Sequence, residues 1–166
     1  MGNSTLPFPG AGTFPAGFAD PEGAAGPVTI RQDVAWGELD ALGHVNHTVY
    51  LRWFENARFA WFERVGIAAL MRESGGAVGP ILARVSCDYR IPVGFPDTIL
   101  TSVCCVELGR SSLTLDNTVW SEQHQAVVAQ GQVVVVMLDY AAKRSTPIDQ
   151  AVRAAICTLD DVHSRE

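Results

Sequence analysis

The stretch HTVYLRWFENARFAWFERVGI, beginning at His47, constrains this chain more than any other. It reads as one helix over residues 47–65, ended near Gly66. Spread at about 100° per residue, Tyr50, Trp53, Phe54, Ala57, Trp61 and Val65 gather on one side, and Leu51 and Phe62 widen it. Only Arg52, Asn56 and Glu63 make a clear polar stripe. A surface helix shows a narrower apolar face, so this one must be covered over most of its circumference.

The rest of the chain offers the cover. VTIRQDVA, from Val28, alternates as a strand with Val28, Ile30 and Val34 on one side. After the helix come four more strand patterns: PILARVSCDYRIPV, TILTSVCCVEL, LTLDNTVWSE and QAVVAQGQVVVVMLDY. GFPD and GRSS are turns between them, and Gly131 is read as a bulge or kink. TPIDQAVRAAI predicts a short last helix, with Thr146 as N-cap and Pro147 at the first helical position. Strand, long helix, four strands, helix is an α+β order. It predicts an antiparallel sheet curled around a buried helix, with an uncovered edge that favours dimerisation by strand pairing.

Two charges interrupt the helix pattern. Arg58 lies inside the apolar arc, and Glu55 lies one turn before it. Either the two close an i,i+3 ion pair, or Glu55 reaches an active-site cleft.

The chain has 166 residues, which suits one domain. Residues 1–27 are rich in Gly, Pro and Ala without a period and read as a flexible arm. A single domain is expected over 28–160 and a tail over 161–166. A net charge of −6 with no basic run argues against nucleic acid as a partner. No apolar run reaches membrane-spanning length, and the N-terminus lacks a secretory pattern. Cys87, Cys104, Cys105 and Cys157 have no metal-ligand spacing and read as reduced, buried side chains. The expectation is a cytoplasmic protein with no membrane contact.

The chemistry is sought in DALGHVNHTVY, residues 40–50. Asn46 stands where the helix begins and suits an N-cap. The next amides, from His47 onward, lack intrahelical acceptors and carry the positive end of the helix dipole. A carbonyl oxygen aimed there would be polarised, and an oxyanion would be stabilised. Asp40 lies a few residues earlier, with Gly43 between to allow a sharp turn. A carboxylate beside an oxyanion-binding helix start suits ester or thioester attack, through activated water or directly. The same residues also make an ordinary turn before a helix. His44 and His47 stand three apart with no evident third ligand, so hydrogen bonding or packing is expected of them and no metal.

The stretch RQDVAWGELDALGHVNHTVYLRWFENARFAWFERVGI closely resembles the 4-hydroxybenzoyl-CoA thioesterase-like (YbgC-like) branch of the hot-dog thioesterases. Asp40, Gly43, Val45, Tyr50, Glu55 and Arg58 occupy the places of its recurring motif, and PVGFPDTILTSVCCVELGRSSLTL continues the likeness. The resemblance spans about residues 28–140. It implies a hot-dog fold and acyl-CoA thioesterase activity without a cofactor, in a homodimer or homotetramer with sites between subunits. By the same resemblance, Asp40 is the catalytic carboxylate and the amide at His47 polarises the thioester carbonyl. Glu55 and Asn46 would orient water or substrate, and Tyr50 and His44 would line the substrate. Glu38 replaces the motif's first Asp. Arg110, Ser111 and Ser112 form either a contact for the CoA nucleotide or a solvent-facing turn. An acyl carrier protein as the thioester carrier, and an acyl-CoA-binding module without turnover, are the competing readings.

Overall fold

A computed structural model describes residues 27–162. Residues 1–26 of the expected arm and 163–166 of the expected tail lie outside the described residues. The order is β1 (Val28–Asp33), α1 (His47–Val65), α2 (Ile67–Glu73), β2 (Val78–Val85), β3 (Asp88–Tyr89), β4 (Thr98–Leu108), β5 (Ser112–Ser121), β6 (Ala126–Asp139), β7 (Arg144–Ser145) and α3 (Gln150–Asp160). The strands form one antiparallel sheet in the order β1-β4-β5-β6-β2, with β3 and β7 both paired to β6. The sheet curls through 233° around α1. This is the helix-in-curled-sheet architecture that the breadth of the apolar arc demands.

Helix α1 buries Val49, Tyr50, Trp53, Phe54, Ala57, Trp61, Phe62 and Val65. The inner face of the sheet meets it with Ile30, Ile99, Val103, Leu115, Val119 and Val133, each at most 3% exposed. Burying a large apolar side chain is worth about 1.5–3 kcal/mol, so these aromatics supply much of the folding drive. Arg58 is buried among them, 8% exposed. Glu55 answers it at 3.5 Å, closing the i,i+3 pair. Burial lowers the Arg58 guanidinium below its ordinary value, and Glu55 opposes that shift.

Local chemistry sets the ends. Asn46 caps α1, its Oδ1 accepting the Thr48 amide at 3.0 Å. Gly66 stops the helix at φ 86°, a left-handed conformation that glycine adopts freely. The chain then resumes as α2, an element absent from the sequence reading. The expected single strand over PILARVSCDYRIPV is divided, because β2 ends at Val85 and β3 starts at Asp88.

Two further expectations are corrected. The last helix starts at Gln150 and its cap is Asp149, which accepts the Ala151 and Val152 amides at 2.8 and 3.3 Å. Thr146 still belongs to the sheet margin, its amide donating to the Met137 carbonyl at 2.9 Å. The β5–β6 register shift falls at Val128 and not at Gly131, which pairs regularly with Asn117. Gly131 is required for a different reason. A Cβ there would stand 2.0 Å from the Ser86 carbonyl oxygen and 2.8 Å from the Phe54 ring. Gly131→Ala must therefore displace backbone, and a loss of about 1–3 kcal/mol is expected. Calorimetry should show a Tm lower by about 2–12 °C; an unchanged Tm would contradict this close approach.

Asp160, at the end of α3, accepts the Trp61 Nε1 proton at 2.9 Å. Burial pushes its carboxyl up from 3.8 to about 6, against the lowering effect of hydrogen bonds from Trp61 and the Cys105 backbone. The folded state therefore holds this proton more tightly than the unfolded chain. The stabilisation is complete below pH 3.8 and is lost as pH rises through about 6. Asp160→Asn lacks this titration. The Tm difference, variant minus wild type, should grow from about pH 4 to 7 and then level off; a difference flat across that window would refute the buried-acid reading.

Candidate active site

The loop between β1 and α1 is shaped by its own carboxylates. After β1, Trp36–Glu38 form a turn of 3-10 helix. Glu38 Oε2 accepts the Ala35 amide at 3.0 Å, and Oε1 takes Arg52 of α1 at 3.1 Å. The Glu38 carbonyl accepts the Asn46 amide at 2.9 Å. The longer acid at position 38 thus ties the loop entrance to the helix.

Leu39 and Val45 form an isolated antiparallel bridge, and the chain reverses between them. The Asp40 amide donates to the His44 carbonyl at 2.7 Å, and the Gly43 amide to the Asp40 carbonyl at 3.0 Å. Gly43 makes this possible with φ 78°. Within the turn, Asp40 Oδ1 accepts the Leu42 amide at 2.8 Å and the His44 amide at 3.3 Å. These bonds fix the plane of the carboxylate and leave Oδ2 without a hydrogen-bond partner among the described residues. Asp40 itself is exposed.

The helix start is answered incompletely. Asn46 covers the Thr48 amide with its side chain, and its carbonyl accepts the Val49 amide at 2.9 Å. The His47 amide, first in the helix, has no acceptor among the described residues. Asn46 Oδ1 also takes the Thr48 hydroxyl at 2.7 Å, so this oxygen is committed to the cap.

Asp40, His44, Val45, His47 and Tyr50 line one open cavity of about 300 Å³, with Tyr89, Arg90, Ile91 and Pro92 opposite. Tyr50 is buried and meets Tyr89 edge-on, ring centres 5.1 Å apart. Burial raises the Tyr50 phenol above its ordinary value, against a backbone hydrogen bond from Val93. Tyr89 donates from Oη to the His47 carbonyl at 3.1 Å. Burial pushes the Tyr89 phenol up to about 12.

Other candidates stand elsewhere. Glu55 is eight residues along α1 from His47, about 12 Å down the axis, and does not line this cavity. Arg110, Ser111 and Ser112 turn the chain at the far end of β4, whereas Asp40 lies beyond the Asp33 and Thr98 end. The eleven residues of β4 separate the two, about 35 Å of strand. The hairpin backbone is tied down, the Arg110 carbonyl accepting Ile148 at 2.9 Å and Arg153 at 3.1 Å. Among the described residues no three His, Cys, Asp or Glu side chains converge as a metal site requires.

Tyr89, Ile91 and Pro92 were not foreseen as site residues. Their alternating pattern marks a strand and gives no sign that the strand's end crosses the helix start.

A curled antiparallel sheet around one buried helix is the hot-dog fold. Residues 34–156 match the model of the thioesterase-like superfamily, and the chain belongs to that family. A thioesterase of Thermus thermophilus, solved as a complex with coenzyme A and zinc, is 34% identical. That match covers 84% of this chain and 98% of the other, with a TM-score of 0.72. The PA2801 protein of Pseudomonas aeruginosa is 35% identical, covering 77% of this chain and 96% of its own, with a TM-score of 0.68. A thioesterase-superfamily protein of Jannaschia sp. CCS1 is 29% identical, covering 83% and 86%, with a TM-score of 0.71.

Proposed function

We propose that the protein hydrolyses acyl-CoA thioesters to free CoA and a carboxylic acid, with Asp40 and the His47 amide as its working groups. The observation that carries this reading is the meeting of a fixed carboxylate and an unanswered helix-start amide in one cavity. The thioester carbonyl oxygen is placed at the His47 amide, where the positive end of α1 stabilises charge developing on it. Asp40 Oδ2 takes a proton from water as the water oxygen attacks the carbonyl carbon, or attacks that carbon itself. Collapse of the tetrahedral intermediate expels the CoA thiolate, which takes up the proton held by Asp40 on the water route; on the direct route water then cleaves the Asp40–acyl anhydride to the carboxylic acid and free Asp40.

Coenzyme A as the carrier is supported by the 34% identical relative that binds it. The net charge of −6 disfavours docking of an acidic carrier protein. The small cavity suits a compact acyl group next to the reacting carbon. Asn46 serves through the cap that fixes the helix start, while His44 and Tyr50 form walls. Glu55 and the Arg110–Ser112 hairpin can meet a cavity only across a subunit interface. The edge strand β2 offers the surface for one, because Ile81, Leu82 and Val85 are 43%, 48% and 37% exposed along it. Pairing of two such edges makes a homodimer. Four free cysteines suit a reducing compartment and placement in the cytoplasm.

Asp40→Asn keeps an oxygen for the Leu42 and His44 amides but cannot act as base or nucleophile. Thiol release from acyl-CoAs should fall by about 10²–10⁴-fold with the Tm nearly unchanged. Wild-type turnover by the folded variant on a substrate the parent hydrolyses would rule out the assignment.

A further inference from the structure

Residues 88–93 touch the junction of the acid loop and α1 at three points. The segment is anchored from behind. Asp88 and Tyr89 pair with Gln130 and Ala129 of β6. The Arg90 and Ile91 amides then donate to one carbonyl, that of Val128, at 2.8 and 3.2 Å. Val128 is the residue left over where the β5–β6 register slips. The bulge thus ends regular pairing of β3 and sends the chain across the helix start.

Three ties follow. The Val93 carbonyl accepts the Val45 amide at 2.8 Å, fixing the far side of the Asp40 turn. The Tyr89 ring packs edge-on against Tyr50, ring centres 5.1 Å apart. The Tyr89 hydroxyl reaches the His47 carbonyl at 3.1 Å. The first residue of a helix is where fraying begins, because its own amide has no i−4 acceptor. His47 is that residue, and Tyr89 adds a bond to it from outside the helix. Neither the cap of Asn46 nor the Glu38–Arg52 pair bonds to His47 itself.

We infer that Tyr89 is a positioning residue: its hydroxyl, bonded to the His47 carbonyl, holds the first residue of α1 in register with the Asp40 turn. The inference rests on the roles proposed for Asp40 and the His47 amide. A preorganised oxyanion donor is effective only if its position is held before the charge develops. The Tyr89 hydroxyl stays a proton donor through any ordinary assay, because burial pushes it up to about 12. Its ring would remain against Tyr50 without the hydroxyl, at the edge-on distance of 5.1 Å.

Tyr89→Phe therefore removes the tie and keeps the wall. The expected result is a fall in kcat of about tenfold, a KM within about twofold, and a Tm within about 2 °C of the parent. Because the hydroxyl does not titrate in range, the ratio of wild-type to variant kcat should stay constant from about pH 6 to 9. Asp40→Asn is assayed beside it. An inactive Asp40→Asn with an unimpaired Tyr89→Phe overturns the Tyr89 assignment alone. A KM rise with kcat intact, or a kcat ratio that changes with pH, also overturns it, making Tyr89 a binding group or a proton-transfer group instead. Full activity in Asp40→Asn overturns the catalytic reading and this inference with it.

Discussion

A buried helix cannot satisfy its own first amides, and the region around the site is organised by that constraint. Asn46 answers two of the amides, Thr48 with its side chain and Val49 with its carbonyl. The His47 amide is left to whatever enters the cavity. Leaving a donor unmade costs about 1–3 kcal/mol when it is dry. An exposed helix start avoids that cost, because His47 stands open to solvent. The group on which the proposed chemistry depends is thus the one that the fold does not pair.

The remaining parts serve to hold that end still. The aromatic side of α1 is locked inside the curled sheet, so the helix axis cannot drift. Glu38 binds the loop entrance to Arg52, and the Leu39–Val45 bridge closes the turn that carries Asp40. The segment through Val93 then clamps the other side. The Arg58–Glu55 pair tolerates a charge in the apolar arc by keeping the carboxylate partner near solvent, with a side-chain exposure of 53%. A buried charge of this kind is held chiefly by not being left alone.

The architecture was legible in the sequence because its cause is local. The width of the apolar arc on one helix compels a wrapping sheet, and the four later strand patterns provide it. Asn46 and Gly66 were legible as the ends of that helix, since a cap and a left-handed stop depend on the residue itself. Asp149 was harder to find because Thr146-Pro147 presents the same local signal three residues earlier, and only pairing of Thr146 with Met137 decides between them. Gly131 was recognised as special for the wrong reason. The crossing backbone at Ser86 that demands it is 45 residues away in sequence. Tyr89 was missed for the same cause, as its bond to His47 spans 42 positions and has no periodic trace. Glu55 attracted notice by its place in the helix pattern and Arg110 by its charge, and the fold leaves both outside the cavity lining.

The central claim is that the start of α1 polarises a thioester carbonyl. It is tested most directly by the infrared carbonyl stretch of a ¹³C-labelled acyl-CoA bound to the Asp40→Asn protein, in which turnover is slowed. The account predicts that the stretch moves to lower frequency than in water, because the His47 amide and the helix dipole draw charge onto the oxygen. A stretch at or above the aqueous frequency, with the substrate demonstrably bound, would contradict it.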